Sequence, residues 1–395
     1  MTNDKLINKI KNEMQTWLED TRHWFHQHPE LSKQEFKTAD KIEELLRSFG
    51  FEIDRSLSKT SIIATLKNGE GHTLGIRADI DGLPMQEETG LAFASKNEGI
   101  MHACGHDGHI TMALGAAKYL AKYKPFKGTI IMIFQCAEEI GFGAQELVDN
   151  GLFKKYKFDY IIGLHGMCHS PAIGTAQEGT LSFYPNQDAM MASMNSFEIK
   201  LTGRGVHGSA PEWSIDPIPG ALELINSIYS IKTRMIPSDK RSVISVCHIS
   251  TGSGTSPNII PDWALIKGTF RTVDDQSTKM YKKAIDKFAK FTAKKYNLQL
   301  DINQWGSPAV INHQKLNIQI KSLTEKELGK DFVSWSQQVM GGEDFSCYRE
   351  GAKTVFAFIS TGENAPLHNS KYNFSDKTLA YGVAYFVNVA KYLLK

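Results

Sequence analysis

The residues best suited to chemistry crowd into one stretch, Met101-His102-Ala103-Cys104-Gly105-His106-Asp107-Gly108-His109, with a thiol, three imidazoles and a carboxylate. Further donors follow in Cys136-Ala137-Glu138-Glu139, Gly163-Leu164-His165-Gly166 and Pro366-Leu367-His368-Asn369. Thiolate, imidazole and carboxylate groups from separated segments are the donor set of a transition-metal site. Cys104 and His106 stand two apart, so a looped backbone can turn both toward one ion. Asp107 can instead cap a following helix, and His109 can be a packed residue or the support of a ligand. Glu138-Glu139 follows the apolar run Ile130-Ile131-Met132-Ile133-Phe134. Two carboxylates at the end of a buried strand are costly unless positive charge lies nearby. Adjacent side chains diverge, so beside a metal pair one can ligate while the other acts as general base toward water. The four segments are expected to build one dinuclear hydrolytic centre.

Such donors need a scaffold, and the chain of 395 residues is long enough for two domains. Leu6, Ile10, Met14, Trp17 and Leu18 recur at helical spacing and predict a helix to about Phe25. Ser32-x-x-Glu35 has the form of a capping box before a second helix that Gly50 ends. Strands are predicted over 61–66 and 73–78 around the turn Asn68-Gly69. Helix 107–121, strand 129–134, helix 144–150 and strand 160–164 then alternate, which implies a largely parallel sheet with covering helices. The donors fall at or just after strand ends, where open α/β sheets place their sites. From about residue 192 the order becomes strand 197–201, helix 218–229, strands 243–248 and 263–270, helix 280–293 and strand 298–302. That β-α-β-β-α-β order is ferredoxin-like. Helix 316–328, strand 354–359 and helix 379–393 follow. His368 lies among them, so residues 1–191 and 304–395 are expected to form one α/β domain into which 192–303 is inserted.

Composition narrows the class. The chain is 41% hydrophobic and 22% charged with a formal net charge of +2, which gives no electrostatic reason to expect nucleic acid or a membrane surface as partner. Five cysteines without a close C-x-x-C pair argue for a reducing compartment rather than a disulfide framework. The start, Met1-Thr2-Asn3-Asp4-Lys5, leads into a charged helical pattern without an apolar export core. No apolar run approaches the ~18 residues of a membrane span. A cytoplasmic protein is expected.

The sequence resembles the M20 metallopeptidases, in their subgroup of aminoacylase- and hippurate hydrolase-like N-acyl-amino-acid amidohydrolases. The resemblance rests on His26-Gln27-His28-Pro29-Glu30-Leu31-Ser32, Arg77-Ala78-Asp79-Ile80-Asp81-Gly82-Leu83-Pro84, the Cys104 motif and Ala137-Glu138-Glu139. It continues through Gly203-Arg204-Gly205-Val206-His207-Gly208, Asn258-Ile259-Ile260-Pro261-Asp262, Gly342-Glu343-Asp344-Phe345 and His368-Asn369-Ser370-Lys371-Tyr372. It implies Cys104, His106, Glu139, His165 and His368 as ligands of two divalent ions per subunit (zinc, manganese, cobalt or nickel), with Glu138 as general base. Asp79 would orient a ligand imidazole, and His207 would assist catalysis. Asn258 and Arg271 would contact the substrate, an N-acyl amino acid or short peptide. On spacing alone Arg271 reads as a surface ion pair. The inserted domain would act as lid and dimerisation surface, giving a homodimer, with a tetramer also open. A dipeptidase or carboxypeptidase, and a metal- or peptide-binding protein without turnover, are the rival readings. Gly82, Gly341-Gly342, Glu212, Met167-Cys168-His169-Ser170 and the 181–191 connector depart from the usual pattern. None removes a ligand.

Overall fold

The computed structural model describes residues 5–170, 173–252 and 256–395. Residues 1–4, part of the start read for an export segment, lie outside the described residues. No helix among the described residues is long and apolar enough to cross a membrane. Two compact units emerge: Met1–Met190 with Ile311–Gln338 and Asp344–Lys395, and Met191–Val310 with Val339–Glu343. The short return of Val339–Glu343 to the second unit is anchored by backbone bonds from Ala192 N–H to the carbonyls of Val339 and Gly341.

In the first unit, eight strands among the described residues form one sheet. Their order is Glu52–Asp54, Ile62–Asn68, Gly128–Gln135, Thr73–Asp79, Tyr160–Met167, Lys353–Ser360, Leu181–Phe183, Val333–Trp335. The core from Gly128–Gln135 through Lys353–Ser360 is parallel. Its strands are buried almost continuously rather than at alternate residues, as expected when both faces are covered. Helix Lys5–Gln27 buries Ile7, Ile10, Met14, Leu18 and Phe25 at three- and four-residue spacing. It packs with His106–Tyr123 and Asp376–Leu393.

Two local expectations are corrected. Ile62–Asn68 and Thr73–Asp79 do not pair across Asn68-Gly69, because Gly128–Gln135 lies between them, antiparallel to the first and parallel to the second. The capping box does not form either. The free N–H groups of helix Phe36–Ser48 at Lys37 and Thr38 meet the Glu30 carboxylate at 3.2 and 2.9 Å. Ser32 and Glu35 are committed elsewhere: Ser32 Oγ donates to Asp81 at 2.6 Å and Glu35 accepts from Ala137 N–H at 2.9 Å.

The second unit carries an antiparallel sheet ordered Gln299–Ser307, Met194–Thr202, Trp263–Thr272, Ser242–Thr251. Helices Pro217–Arg234 and Asp275–Lys295 pack on it. Met194–Thr202 alternates buried and less buried residues, the mark of a sheet with one covered face. Asp216 and Asp274 cap the two helices through Ile218 N–H and Ser277 N–H. The chain order is the ferredoxin-like one. A mixed α/β unit with a largely parallel sheet thus carries an inserted α+β unit.

Candidate metal centre

The donors of the first unit converge because two backbone turns aim them. Gly105, at φ 82°, sits in the left-handed region just before helix His106–Tyr123. A Cβ there would lie 2.8 Å from the Tyr372 hydroxyl, so glycine lets Cys104 and His106 flank a tight turn. After strand Gly128–Gln135, Ala137 adopts φ 56°, a conformation costly for a residue with a side chain. Its carbonyl accepts from Phe142 and Gly143 N–H, and its N–H is held by Glu35. The bend delivers Glu138 and Glu139 side by side. His368, also left-handed at φ 60°, is pinned by its N–H to the Ala103 carbonyl at 2.8 Å.

Hydrogen bonds decide which nitrogens remain open. His106 Nδ1 donates to the Asp81 carbonyl at 2.9 Å, so Nε2 is the nitrogen left to give its lone pair to an ion that displaces its proton. That Nε2 is buried with no hydrogen-bond partner and lies 3.8 Å from Glu139 Oε1 and 3.9 Å from Glu138 Oε2. His165 Nδ1 donates to the Gly166 carbonyl at 2.8 Å, which turns its Nε2 toward Cys104 Sγ at 3.5 Å. His368 Nε2 stands 3.5 Å from Glu139 Oε2. Ligand atoms of Cys104, Glu139 and His368 lie within 4.8 Å of one another, as do those of Asp79, His106, His109 and His165. His109 is differently engaged. Its Nδ1 donates to Asp79 Oδ1 at 2.6 Å and its Nε2 accepts from Gly166 N–H at 2.7 Å, leaving neither nitrogen for an ion.

The electrostatics call for a cation. Burial disfavours the His106 imidazolium, but Asp79, Asp81 and Glu139 overcome it and raise its pKa to about 10. Burial also lifts Glu139, to about 7. The Cys104 thiol is pushed far up by burial and then by Glu139, Glu138 and Asp79. Burial opposes ionisation of Asp79, yet His106, His109 and Arg77 hold it well below the usual carboxylate range. A high-pKa thiol beside carboxylates becomes a thiolate when a metal replaces its proton. The orphaned His106 Nε2 and Glu139 Oε1 supply open donors, so the residues fit a divalent pair.

One support, Asp81, was not singled out from sequence, and a second, His109, was left there between a packed residue and a support. Asp81, through its backbone carbonyl, orients His106, and its carboxylate accepts from Glu139 N–H at 3.0 Å and from Ser32. His109 joins Asp79 to the strand end that carries His165. A buried acid two residues after Asp79 was the available signal. Asp107 does not cap its helix: it is buried beneath the first turn, accepting from Arg22 and His26 at 2.9 Å each.

The other anticipated residues lie in the second unit. His207 is on the two-residue strand Val206–His207, whose partner strand Ile259–Ile260 follows Asn258, and Gly208 N–H donates to the Asn258 carbonyl at 2.7 Å. His207 Nδ1 accepts from Ser209 N–H at 3.2 Å, so Nε2 carries the ring proton. Arg271 lies apart from them on Trp263–Thr272. Gly342 approaches it: a Cβ there would meet Arg271 Nη1 at 2.8 Å and Met194 Cγ at 1.9 Å.

Replacing Cys104 with alanine is expected to lower retained metal, measured by elemental analysis after dialysis. Unchanged stoichiometry would make Cys104 a packed thiol only.

Residues 75–392 match the peptidase family M20/M25/M40. The chain is 38% identical over 386 residues to hippurate hydrolase of Campylobacter jejuni, covering 96% of this chain and 98% of that one. It is 35% identical to N-acetylcysteine deacetylase of Bacillus subtilis, over 96% and 97% of the two chains. The solved structure of the Bacillus subtilis YXEP protein, a dinuclear metal binding peptidase from the M20 family, aligns with TM-score 0.78 and 31% identity over 96% and 98%. With the matched region spanning most of the chain, this protein belongs to the peptidase family M20/M25/M40 and is a hydrolase of that family.

Proposed function

We propose that the protein hydrolyses the amide bond of N-acyl amino acids, with Cys104, His106, Glu139, His165 and His368 holding two divalent ions. The observation that carries this reading is the cluster of thiol, imidazoles and carboxylates, buried except at the exposed His368, with Glu138 beside its ligands. The ions, zinc, manganese, cobalt or nickel, would polarise the amide carbonyl and acidify water from pKa ~15.7 toward ~7. Glu138 takes the proton of the attacking water and returns it to the leaving amine. His207 Nε2–H donates to the oxyanion. Asn258 holds the amide, and Arg271 grips the substrate carboxylate through two parallel hydrogen bonds. Asp79 fixes His109, and through it the strand end at His165. The relatives named for hippurate and N-acetylcysteine, both acylated amino acids, support this substrate class. The test is turnover by metallated protein of a panel of N-acyl amino acids, their amides and dipeptides. Faster cleavage of dipeptides would favour a peptidase, and no turnover of any member would favour a binding protein.

Arg271→Lys is expected to raise KM for N-acyl amino acids much more than for their amides, because lysine cannot reproduce the planar fork. Equal losses on acids and amides would return Arg271 to a structural role.

The inserted segment of about 192–303 is also read as lid and dimerisation surface, giving a homodimer or a tetramer built from it, with His207 completing the partner's site. Support comes from the edge strand Ser242–Thr251, which exposes Val243 (42%) and Ile249 (48%). Mixing inactive Glu138→Gln with inactive His207→Ala under verified subunit exchange should restore part of the activity. No recovery would confine His207 to its own chain. The five cysteines, none of them in a disulfide among the described residues, support a reducing, cytoplasmic setting.

A further inference from the structure

The bend that delivers Glu138 and Glu139 is gripped by a turn from outside the metal centre. In that turn, between the first two helices, Leu31 bridges Gly82 and Gln34 N–H donates to the Leu31 carbonyl at 2.9 Å. The chain then passes through Lys33 at φ 69°, a left-handed conformation costly for a residue with a side chain. Side chains of the turn reach both ends of the bend. Glu35 accepts from Ala137 N–H at 2.9 Å. Lys33 Nζ pairs with Glu146 at 2.8 Å and lies 4.8 Å from the centre of the Phe142 ring. The Lys33 pair is partly exposed and adds little by itself, so the bond from Glu35 is the principal hold. All these residues belong to the first unit.

The bend needs such a hold. Ala137 is left-handed at φ 56°, and its carbonyl is already taken by Phe142 and Gly143 N–H. The chain closes so tightly that a Cβ on Gly143 would lie 1.6 Å from the Cys136 carbonyl oxygen. Were Ala137 to relax to negative φ, Glu138 and Glu139 would swing with it. Glu35 is otherwise hard to account for. It stands at the N-cap of helix Phe36–Ser48 but makes no side-chain cap bond, and Glu30 meets the free N–H groups there. It is fully buried, burial and then Asp81 raise its pKa, and it forms no ion pair among the described residues. An acid placed so is costly, and helix capping does not explain it.

We infer that Glu35 is a positioning residue, which holds Ala137 in its left-handed conformation and so places Glu138 and Glu139. It acts through the backbone of Ala137 and adds no donor to the centre. The inference rests on the reading of Glu138 as base and Glu139 as ligand.

Three variants of the metallated full chain are compared for kcat on an N-acyl amino acid and for metal retained after dialysis. Glu35→Leu removes the acceptor and should lower kcat by about 100-fold, the scale of a misplacement of about 1 Å, and reduce retained metal. Glu35→Gln restores an acceptor oxygen and should regain about tenfold of that loss, the worth of one hydrogen bond. Glu35→Leu with Ala137→Gly should regain kcat and metal as well, because glycine adopts positive φ without strain. A loss of stability alone would not be reversed by Ala137→Gly, which removes a buried methyl group. Should Glu35→Leu not fold, the double variant is read alone against wild type, and it must retain metal and turn over substrate. Wild-type kcat and metal in Glu35→Leu, no gain in Glu35→Gln, or no gain from Ala137→Gly would overturn the inference. An absence of turnover by wild type would strike the substrate reading alone, and metal retention across the variants would still decide this one.

Discussion

Glu138→Gln is expected to reduce kcat by at least ~10²–10⁴-fold, the usual contribution of general acid–base catalysis, while leaving metal content and melting temperature near wild type. The amide fills the same space but cannot accept the proton of the attacking water. Glu138 is buried 3.9 Å from the open Nε2 of His106. Glu139 lies between that nitrogen, at 3.8 Å, and His368 Nε2, at 3.5 Å, as a ligand shared between them would. No other carboxylate of the Ala137-Glu138-Glu139 bend is left for the proton. Single-turnover kinetics on an N-acyl amino acid, with elemental analysis on the same sample, measures both quantities. Retention of more than about a tenth of wild-type kcat would remove Glu138 as the base.

The second large effect concerns stability. Asp107→Ala is expected to destabilise the first unit by about 3–5 kcal/mol, because removing one member of a buried ion group leaves the others uncompensated. Asp107 Oδ2 accepts from both Arg22 Nη1 and His26 Nδ1, each at 2.9 Å and fully buried. Arg22 also pairs with Asp376, and His26 Nε2 meets Glu87 at 3.3 Å. Burial and Arg22 act against the His26 imidazolium, but Asp107 and Glu87 prevail and raise its pKa from 6.5 to about 9. A pKa raised on folding stabilises the native state fully below about pH 6.5, and the contribution fades as pH rises through about 9. Wild-type urea midpoints should therefore fall across that window, and the fall should be shallower in Asp107→Ala. An Asp107→Ala midpoint within error of wild type would show that Arg22 and His26 find other partners.

The principal helices and core strands were legible because their burial leaves a periodic trace. The buried side of Lys5–Gln27 repeats every three or four residues, and the central strands read as apolar runs. Leu181–Phe183 and the edge strand Val333–Trp335 are three residues each, too short to establish a period. Sheet order was likewise hidden. Asn68-Gly69 is a sound turn signal, but a turn constrains only its flanking residues, and the partner of Ile62–Asn68 comes from 60 residues onward. Ser32 and Glu35 had the local spacing of a cap and were drawn away by Asp81 and Ala137.

For the site, the sequence by itself determined the donor chemistry. A thiol, imidazoles and adjacent carboxylates are properties of residue type, and Cys104-Gly105-His106 and Glu138-Glu139 carry them whatever the fold. Only the tertiary structure decided which atoms are open. His106 presents Nε2 because a carbonyl 25 residues away takes Nδ1–H. His109, three residues later and chemically identical, is closed on both sides by Asp79 and Gly166. For His106 and His109 those partners are supplied by the fold from far along the chain, whereas His165 is set by the carbonyl of its own neighbour Gly166.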